Sequence, residues 1–438
     1  MPRADTIIDP SWIITVDDAD TVLENHSVVV VEDQIKEIVP TSEASRKYQA
    51  NEHVTLDGHV LMPGLVNAHT HASMSLFRGI AEDLPLKDWL EQHIWPLEAK
   101  WADREFVRDG ALLAFAEAIM SGTTCMNDMY FFPDEVGEIA ERSNIRVSLG
   151  MIVLEFPTVW AGSSEEYLEK GMALYSKFRN SDLVTAMLAP HAPYTVADAT
   201  FERIADIAQT YDLGVHMHVH ETAQEVTDSL DQHGVRPIER LNNIGMVSQH
   251  LVAVHATQLI DEEIEMLADA GSCVVHCPKS NLKLGSGICP VSDLLARNIT
   301  VGIGTDGAAS NNSLNMIEET RIAALLAKGH SGDPANAAVN EALRMSTING
   351  AKCLGISHKT GSLEVGKLAD MVAIDLDDLQ SKPLYSPAAQ VVHAATRNQV
   401  TNVWIGGKRV LNFGTLTTID SSQCMALADR WQARISSS

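Results

Sequence analysis

Between residues 60 and 306 the chain alternates short apolar runs with helical patterns, and this alternation restricts the fold more than any other feature. Eight runs read as strands: 60–69 (VLMPGLVNAH), 123–128 (TTCMND), 146–154 (RVSLGMIVL), 184–191, 214–220, 251–256, 273–277 and 300–306. Between them, segments such as Phe106 to Met120, Phe201 to Tyr211 and Asp261 to Ala270 carry helical spacing. Strands that alternate with helices run parallel, because each crossover returns the chain to the same end of the sheet. An open doubly wound sheet would concentrate its chemistry at one switch point. Here seven of the eight runs end in or next to a His or an Asp, the third being the exception. A closed (β/α)8 barrel of the TIM type, whose site is built from the carboxyl ends of all its strands, accounts for that pattern.

The chain ends have a different texture. Thr6 to Ile8, Trp12 to Val16 and Ser27 to Val31 are β-branched runs between Asp, Asn and Gly turn signals, which read as small antiparallel sheet. Strand patterns return at 361–375 and 402–411. The two ends are expected to combine into a β-sandwich flanking the barrel, a discontinuous domain of residues 1–60 and 365–438 around a barrel of 61–364. A formal charge of −26 argues against nucleic acid or anionic membrane as a partner, since either needs a basic surface. No apolar run approaches the ~18 residues of a membrane span. The N-terminus lacks a signal-peptide pattern, and the six cysteines form no CxxC pair, so reduced thiols in a cytoplasmic protein are expected.

His69 and His71 stand two apart at the end of the first strand, so both imidazoles face the barrel mouth. The fifth strand carries His216, His218 and His220, which share one face, and the eighth ends at Asp306 within GTDGAAS. Three histidines and a carboxylate with a position left for water form the donor set of a catalytic zinc. Parity alone leaves the fifth-strand ligand open among its three histidines. Glu221 follows His218 by three, a spacing that strand geometry puts on the opposite face. A turn at the strand's end would place His218 on the metal and Glu221 beside the substrate.

The segments PGLVNAHTHASMSLFRGIAEDLPLKDWL, HMHVHE, HCPKSNLKLGSG, GIGTDGAASNN and GSLEVGKLADMVAID together resemble the amidohydrolase superfamily over nearly the whole chain. Within it, WLEQHIWPLEAK (89–100) and APHAPYT (189–195) resemble the methylthioadenosine/S-adenosylhomocysteine deaminases. The resemblance implies one zinc per subunit on His69, His71, His218 and Asp306, with His216 and His220 outside the ligand set. It also implies a small-molecule nucleoside substrate and a homo-oligomer.

For such a reaction, water attacks C6 of an adenine ring, and the resemblance distributes the work among named residues. Asp306 accepts the proton released, Glu221 protonates N1 and later the departing ammonia, and His255 orients the attacking water. Glu98 receives the ribose hydroxyls, His191 holds the ribose from the other side, Trp89 covers the nucleoside, and Ser310 approaches the purine edge. Relatives that take S-adenosylhomocysteine present arginines after the third strand, but GMIVLEFPTVWAGSSEEYLEK contains none. The expected order is therefore methylthioadenosine, then adenosine, then S-adenosylhomocysteine, because a buried carboxylate without a cation is costly. Two alternatives stay open: a guanine deaminase or triazine-type chlorohydrolase, which needs no ribose contact, and a non-catalytic scaffold with this fold.

Overall fold

The computed structural model describes residues 1–437 as a barrel of eight parallel strands set against a mixed sheet built from both chain ends. The barrel strands are Leu65–Thr70, Thr123–Asp128, Arg146–Val153, Val184–Pro190, Val215–Val219, Leu251–His255, Cys273–His276 and Thr300–Ile303, neighbours in chain order. Each predicted run supplies one of them. The first starts after Gly64, because residues up to Pro63 belong to the long strand Gln49–Pro63 of the other sheet. At this handover a Cβ on Gly64 would lie 2.1 Å from Thr124 Oγ1, so only glycine lets the two strands approach.

The eighth strand closes on the first through backbone and side chain together. Asp306 N–H donates to His69 C=O at 3.0 Å. Asn67 donates to Thr305 Oγ1 at 2.7 Å and accepts from Thr305 N–H at 2.9 Å. Every residue of Thr123–Asp128 and Arg146–Val153 is buried, as expected of strands covered on both faces. The helical segments run Arg104–Met120, Asp198–Tyr211 and Asp261–Ala270, the first begun by the Asp103 side chain accepting from Phe106 N–H at 2.8 Å.

The second sheet has nine strands and is mixed where the N-terminal pattern suggested antiparallel pairing. Arg3–Ile14 pairs antiparallel with His26–Val31 but parallel with Gln49–Pro63, because the chain makes a second hairpin strand, Gln34–Pro40, and the helix Thr41–Lys47 before returning alongside its start. The runs at Thr6 and Trp12 are one strand with a register shift between Pro10 and Trp12, where proline's missing donor is tolerated. Met371–Asp375 adds antiparallel to Gln49–Pro63, and Val400–Ile405 and Lys408–Asn412 extend the sheet. The sheet folds over on itself: Gly407, between those last two strands, packs against Glu32 and Val30 from the opposite arm. Ile8, Val28, Ile35, Leu61, Met371 and Trp404 fill the space enclosed.

Arg146, at the start of the third barrel strand, ties the two units together by donating to both oxygens of Asp370 at 3.0 and 3.1 Å. Among the described residues no helix is long and apolar enough to cross a membrane, and the six cysteines are unpaired thiols.

Candidate metal and active site

The carboxyl ends of the barrel strands bring distant residues to one point. His69 Nε2 and His71 Nε2 each lie 3.3 Å from Asp306 Oδ1, and His218 Nε2 lies 3.3 Å from His69 Nε2. Four donors held ~2.0–2.1 Å from one tetrahedral centre stand about 3.3–3.4 Å apart, so the spacing matches a zinc coordination shell. The outer nitrogens of His71 and His218 are fixed by carbonyls, while His69 Nδ1 pairs with His216 Nε2 at 3.0 Å. His71 Nδ1 donates to Met129 C=O at 2.5 Å and His218 Nδ1 to His191 C=O at 2.8 Å. Because a carbonyl only accepts, the neutral form of each ring turns its Nε2 lone pair to the cluster. The donors gathered here are placed to share one cation, and imidazole with carboxylate oxygen suits zinc.

The electrostatics of the cluster set His71 apart from His69 and His218. Burial pushes His218 well below the usual imidazole range and His69 down to about 4, keeping both neutral as ligands must be. Against the same burial, the Asp306 carboxylate lifts His71 up to about 9, so without a metal its Nε2 holds a proton toward Asp306 that a bound cation would displace. Asp306 is itself held well below the carboxylate range by His69 and His71, although burial opposes this. Its other oxygen, Oδ2, accepts from Ser280 Oγ at 2.6 Å and Ser310 Oγ at 2.8 Å, which turns Oδ1 toward the histidines.

His255 stands beside the cluster with its donor atom grouped with those of His69 and His218. Its Nδ1 bonds Asn281 Oδ1 at 2.8 Å, while Nε2 lies 3.7 Å from Glu221 Oε2. His220, His255 and Asp306 all have left-handed backbones, with φ of +55°, +72° and +62°. Non-glycine residues in that region are strained, and such strain gathers at functional sites. For Glu221 the consequence is direct: the left-handed His220 breaks the strand alternation and turns Glu221 onto the same side as His218.

Above the cluster opens a cavity of about 730 Å³ whose walls include His71, His218, Glu221, His255 and Asp306. Trp89, Glu98 and His191 also line it, so the structure brings them to the same site. Ser310 is placed differently from the expectation of a purine contact. It is buried and off the cavity wall, with its hydroxyl turned back to satisfy Asp306. Trp89 and Glu98 sit on a helical stretch, Leu86–Trp89, Leu90–Ile94 and Trp95–Trp101, whose middle turn is a π-helix. Its five-residue step aims both Trp89 and Ile94, and both Leu90 and Trp95, into the cavity. Burial pushes the Glu98 carboxyl up to about 7 and raises Glu221 as well. Phe156, Pro157, Thr158 and Val159, after the third strand, contribute wall, and no lysine or arginine does among the described residues.

Other residues emerge only from the structure. Ser280 and Asn281 lie within the quoted HCPKSN segment, yet nothing in that string marks them as partners of Asp306 and His255. Asp128, which ends the second strand, accepts from Ala72 N–H at 2.6 Å, next to His71. Glu225, four residues past Glu221, accepts from the N–H groups of His220 and Glu221 at 3.0 and 2.8 Å.

Residues 60–410 match the amidohydrolase family. The chain is 44% identical over 431 residues to a 5-methylthioadenosine/S-adenosylhomocysteine deaminase of Teredinibacter turnerae, covering 98% of each chain. It superimposes at a TM-score of 0.98 on an adenosine deaminase from Xanthomonas campestris solved with bound zinc, with 44% identity over 100% of both chains. The atrazine chlorohydrolase of Arthrobacter aurescens, 24% identical with a TM-score of 0.90 over 97% of this chain and 99% of its own, shares the fold. By its matched length, its near-complete relatives and its four converging donors, this chain belongs to the amidohydrolase family.

Proposed function

We propose that this chain is a zinc-dependent hydrolytic deaminase that replaces the 6-amino group of an adenosine-type nucleoside, releasing ammonia and the inosine derivative, with 5′-methylthioadenosine the preferred substrate. The observation that carries the reading is the 3.3 Å spacing of imidazole and carboxylate donors at the floor of an apolar cavity that also holds Glu98 and Glu221. The names of the Teredinibacter and Xanthomonas proteins support the reaction type.

Zinc held by His69, His71, His218 and Asp306 supplies Lewis acidity that lowers the pKa of water from ~15.7 toward ~7. The protein's own groups do the rest. Asp306 takes the proton from the attacking water, its charge kept available by the hydroxyls of Ser280 and Ser310. Glu221 protonates N1 as C6 is attacked and later delivers a proton to ammonia, and its raised pKa suits an acid that must be protonated when substrate arrives. His255, oriented by Asn281, hydrogen-bonds the attacking water. Glu98 accepts from the ribose diol, His191 holds the opposite side of the sugar, and Trp89 covers the nucleoside.

The wall after the third strand is apolar at Phe156, Pro157 and Val159, which favours a methylthio group over a zwitterionic tail. Comparing kcat/KM for methylthioadenosine, adenosine and S-adenosylhomocysteine tests this ordering, and a preference for the last refutes it. The proposal extends to a cytoplasmic homo-oligomer acting on a free nucleoside rather than on nucleic acid or membrane. Its support is the −26 net charge and the six unpaired thiols, with the oligomer resting on the family resemblance. Light scattering measures the assembly.

A further inference from the structure

The last histidine of the fifth strand, His220, has no part in the chemistry above. It is nonetheless fully buried, and each of its polar atoms is engaged. Its N–H donates to Glu225 Oε1 at 3.0 Å, and its C=O accepts from Thr257 N–H at 2.9 Å and Thr257 Oγ1 at 3.2 Å. The ring Nε2 accepts from Ile238 N–H at 3.2 Å, which makes Nδ1 the donor to Gln258 C=O, also at 3.2 Å.

These contacts hold His220 at φ +55°, a conformation disfavoured by any residue with a Cβ. The following residue is gripped by the same groups. Glu221 N–H donates to Glu225 Oε2 at 2.8 Å, and Glu221 C=O accepts from Thr257 Oγ1 at 2.7 Å. Glu225 is anchored in turn at the start of the helix Ala223–His233, where its N–H donates to Thr222 Oγ1 at 3.2 Å. One carboxyl group thus spans two consecutive N–H groups on either side of the strained linkage. Neither Glu225 nor His220 lines the active-site cavity, whereas Glu221 does.

We propose that Glu225 and His220, with Thr257, are positioning residues: they clamp the left-handed turn that carries the Glu221 carboxyl from the outer face of the strand into the cavity. The proposal rests on the assignment of proton transfer to Glu221. Relaxation of the turn toward extended backbone would restore alternation and withdraw Glu221 from the side shared with His218. Glu225 therefore acts on the reaction only through Glu221.

A double-mutant cycle on the zinc-loaded enzyme with methylthioadenosine tests this. Glu225→Gln replaces one acceptor oxygen by an amide that cannot accept, freeing one of the two N–H groups. The expected result is a loss of about tenfold or more in kcat, with KM and zinc content changed by less than about twofold. In a Glu221→Gln background the same substitution should change kcat by less than about twofold, since the group being positioned is already gone. Losses that multiply in the double variant overturn the clamp, as does an unchanged kcat in Glu225→Gln alone. Glu221→Gln with undiminished kcat overturns the proton-transfer assignment instead, so the two failures are distinguishable. If Glu225→Gln does not fold, Thr257→Val removes the hydroxyl bound to Glu221 C=O while keeping the side chain's shape, and the same cycle carries the same expectations.

Discussion

Glu98 offers a quantitative test of substrate recognition, because burial keeps its charge costly even with Tyr130 and His71 beside it. Burial moves its carboxyl from an ordinary 4.5 to about 7, and at about 1.4 kcal/mol per tenfold in acidity this is about 3 kcal/mol against the charged form. Two ribose hydroxyls donating to the carboxylate return about 1.5–3 kcal/mol each, enough to offset that cost and leave a gain of up to about 3 kcal/mol. Glu98→Gln keeps the shape and one acceptor but loses the charge assistance, so kcat/KM for adenosine should fall by about 10- to 100-fold. The assay is ammonia release from adenosine and from 2′,3′-dideoxyadenosine by both proteins. In the wild type the dideoxy substrate should lose a similar factor, and in Glu98→Gln the two substrates should converge. Equal loss on both substrates in the variant, or activity on adenosine within about twofold of wild type, refutes the contact and favours a hydrolase that reads the base alone.

Further outcomes follow from the same geometry. Since Glu98 is raised, its charged form prevails only above about 7, so the ratio of kcat/KM for adenosine over the dideoxy analogue should rise as pH passes from 6 to 8; a flat ratio contradicts this. Asp306→Asn should abolish zinc retention, because it removes the only anionic donor in the cluster at little change of shape; stoichiometric zinc by elemental analysis would contradict the assignment. Removing zinc with a chelator should lower the midpoint of unfolding reversibly, by about 4 kcal/mol of stability relative to zinc at a thousand times its Kd. Arg146→Met leaves the fully buried Asp370 carboxylate without its partner and should cost about 3–5 kcal/mol in urea denaturation. A loss below about 1 kcal/mol would mean the pair does not tie barrel to sheet.

The barrel was legible because its periodicity is local. Each βα unit carries its own strand run and helix, and the His and Asp residues at strand ends lie where a closed barrel puts them. His69 and His71 share a face by the two-residue repeat alone, and the three-residue step from His218 to Glu221 already required the chain to leave strand conformation if both serve one site; the structure does so through a left-handed His220. Long-range pairing was harder to see. The parallel alignment of Arg3–Ile14 with Gln49–Pro63 depends on partners some forty-five residues apart, and no local pattern distinguishes it from a hairpin. The orienting groups were least visible. Ser280, Asn281 and Glu225 are ordinary polar residues whose roles arise only when loops from different strands meet. The π-turn at Leu90–Ile94 disguised the cavity face of its helix, since its five-residue step breaks the 3.6-residue repeat by which such faces are read.

The most direct test of the central claim is ammonia released from 5′-methylthioadenosine, with the accompanying loss of adenine absorbance, by protein whose metal content is known. Turnover that tracks zinc occupancy, disappears with chelator and returns on adding zinc back is the expected result. Turnover by zinc-free protein, or none by protein carrying one zinc per subunit, would contradict it.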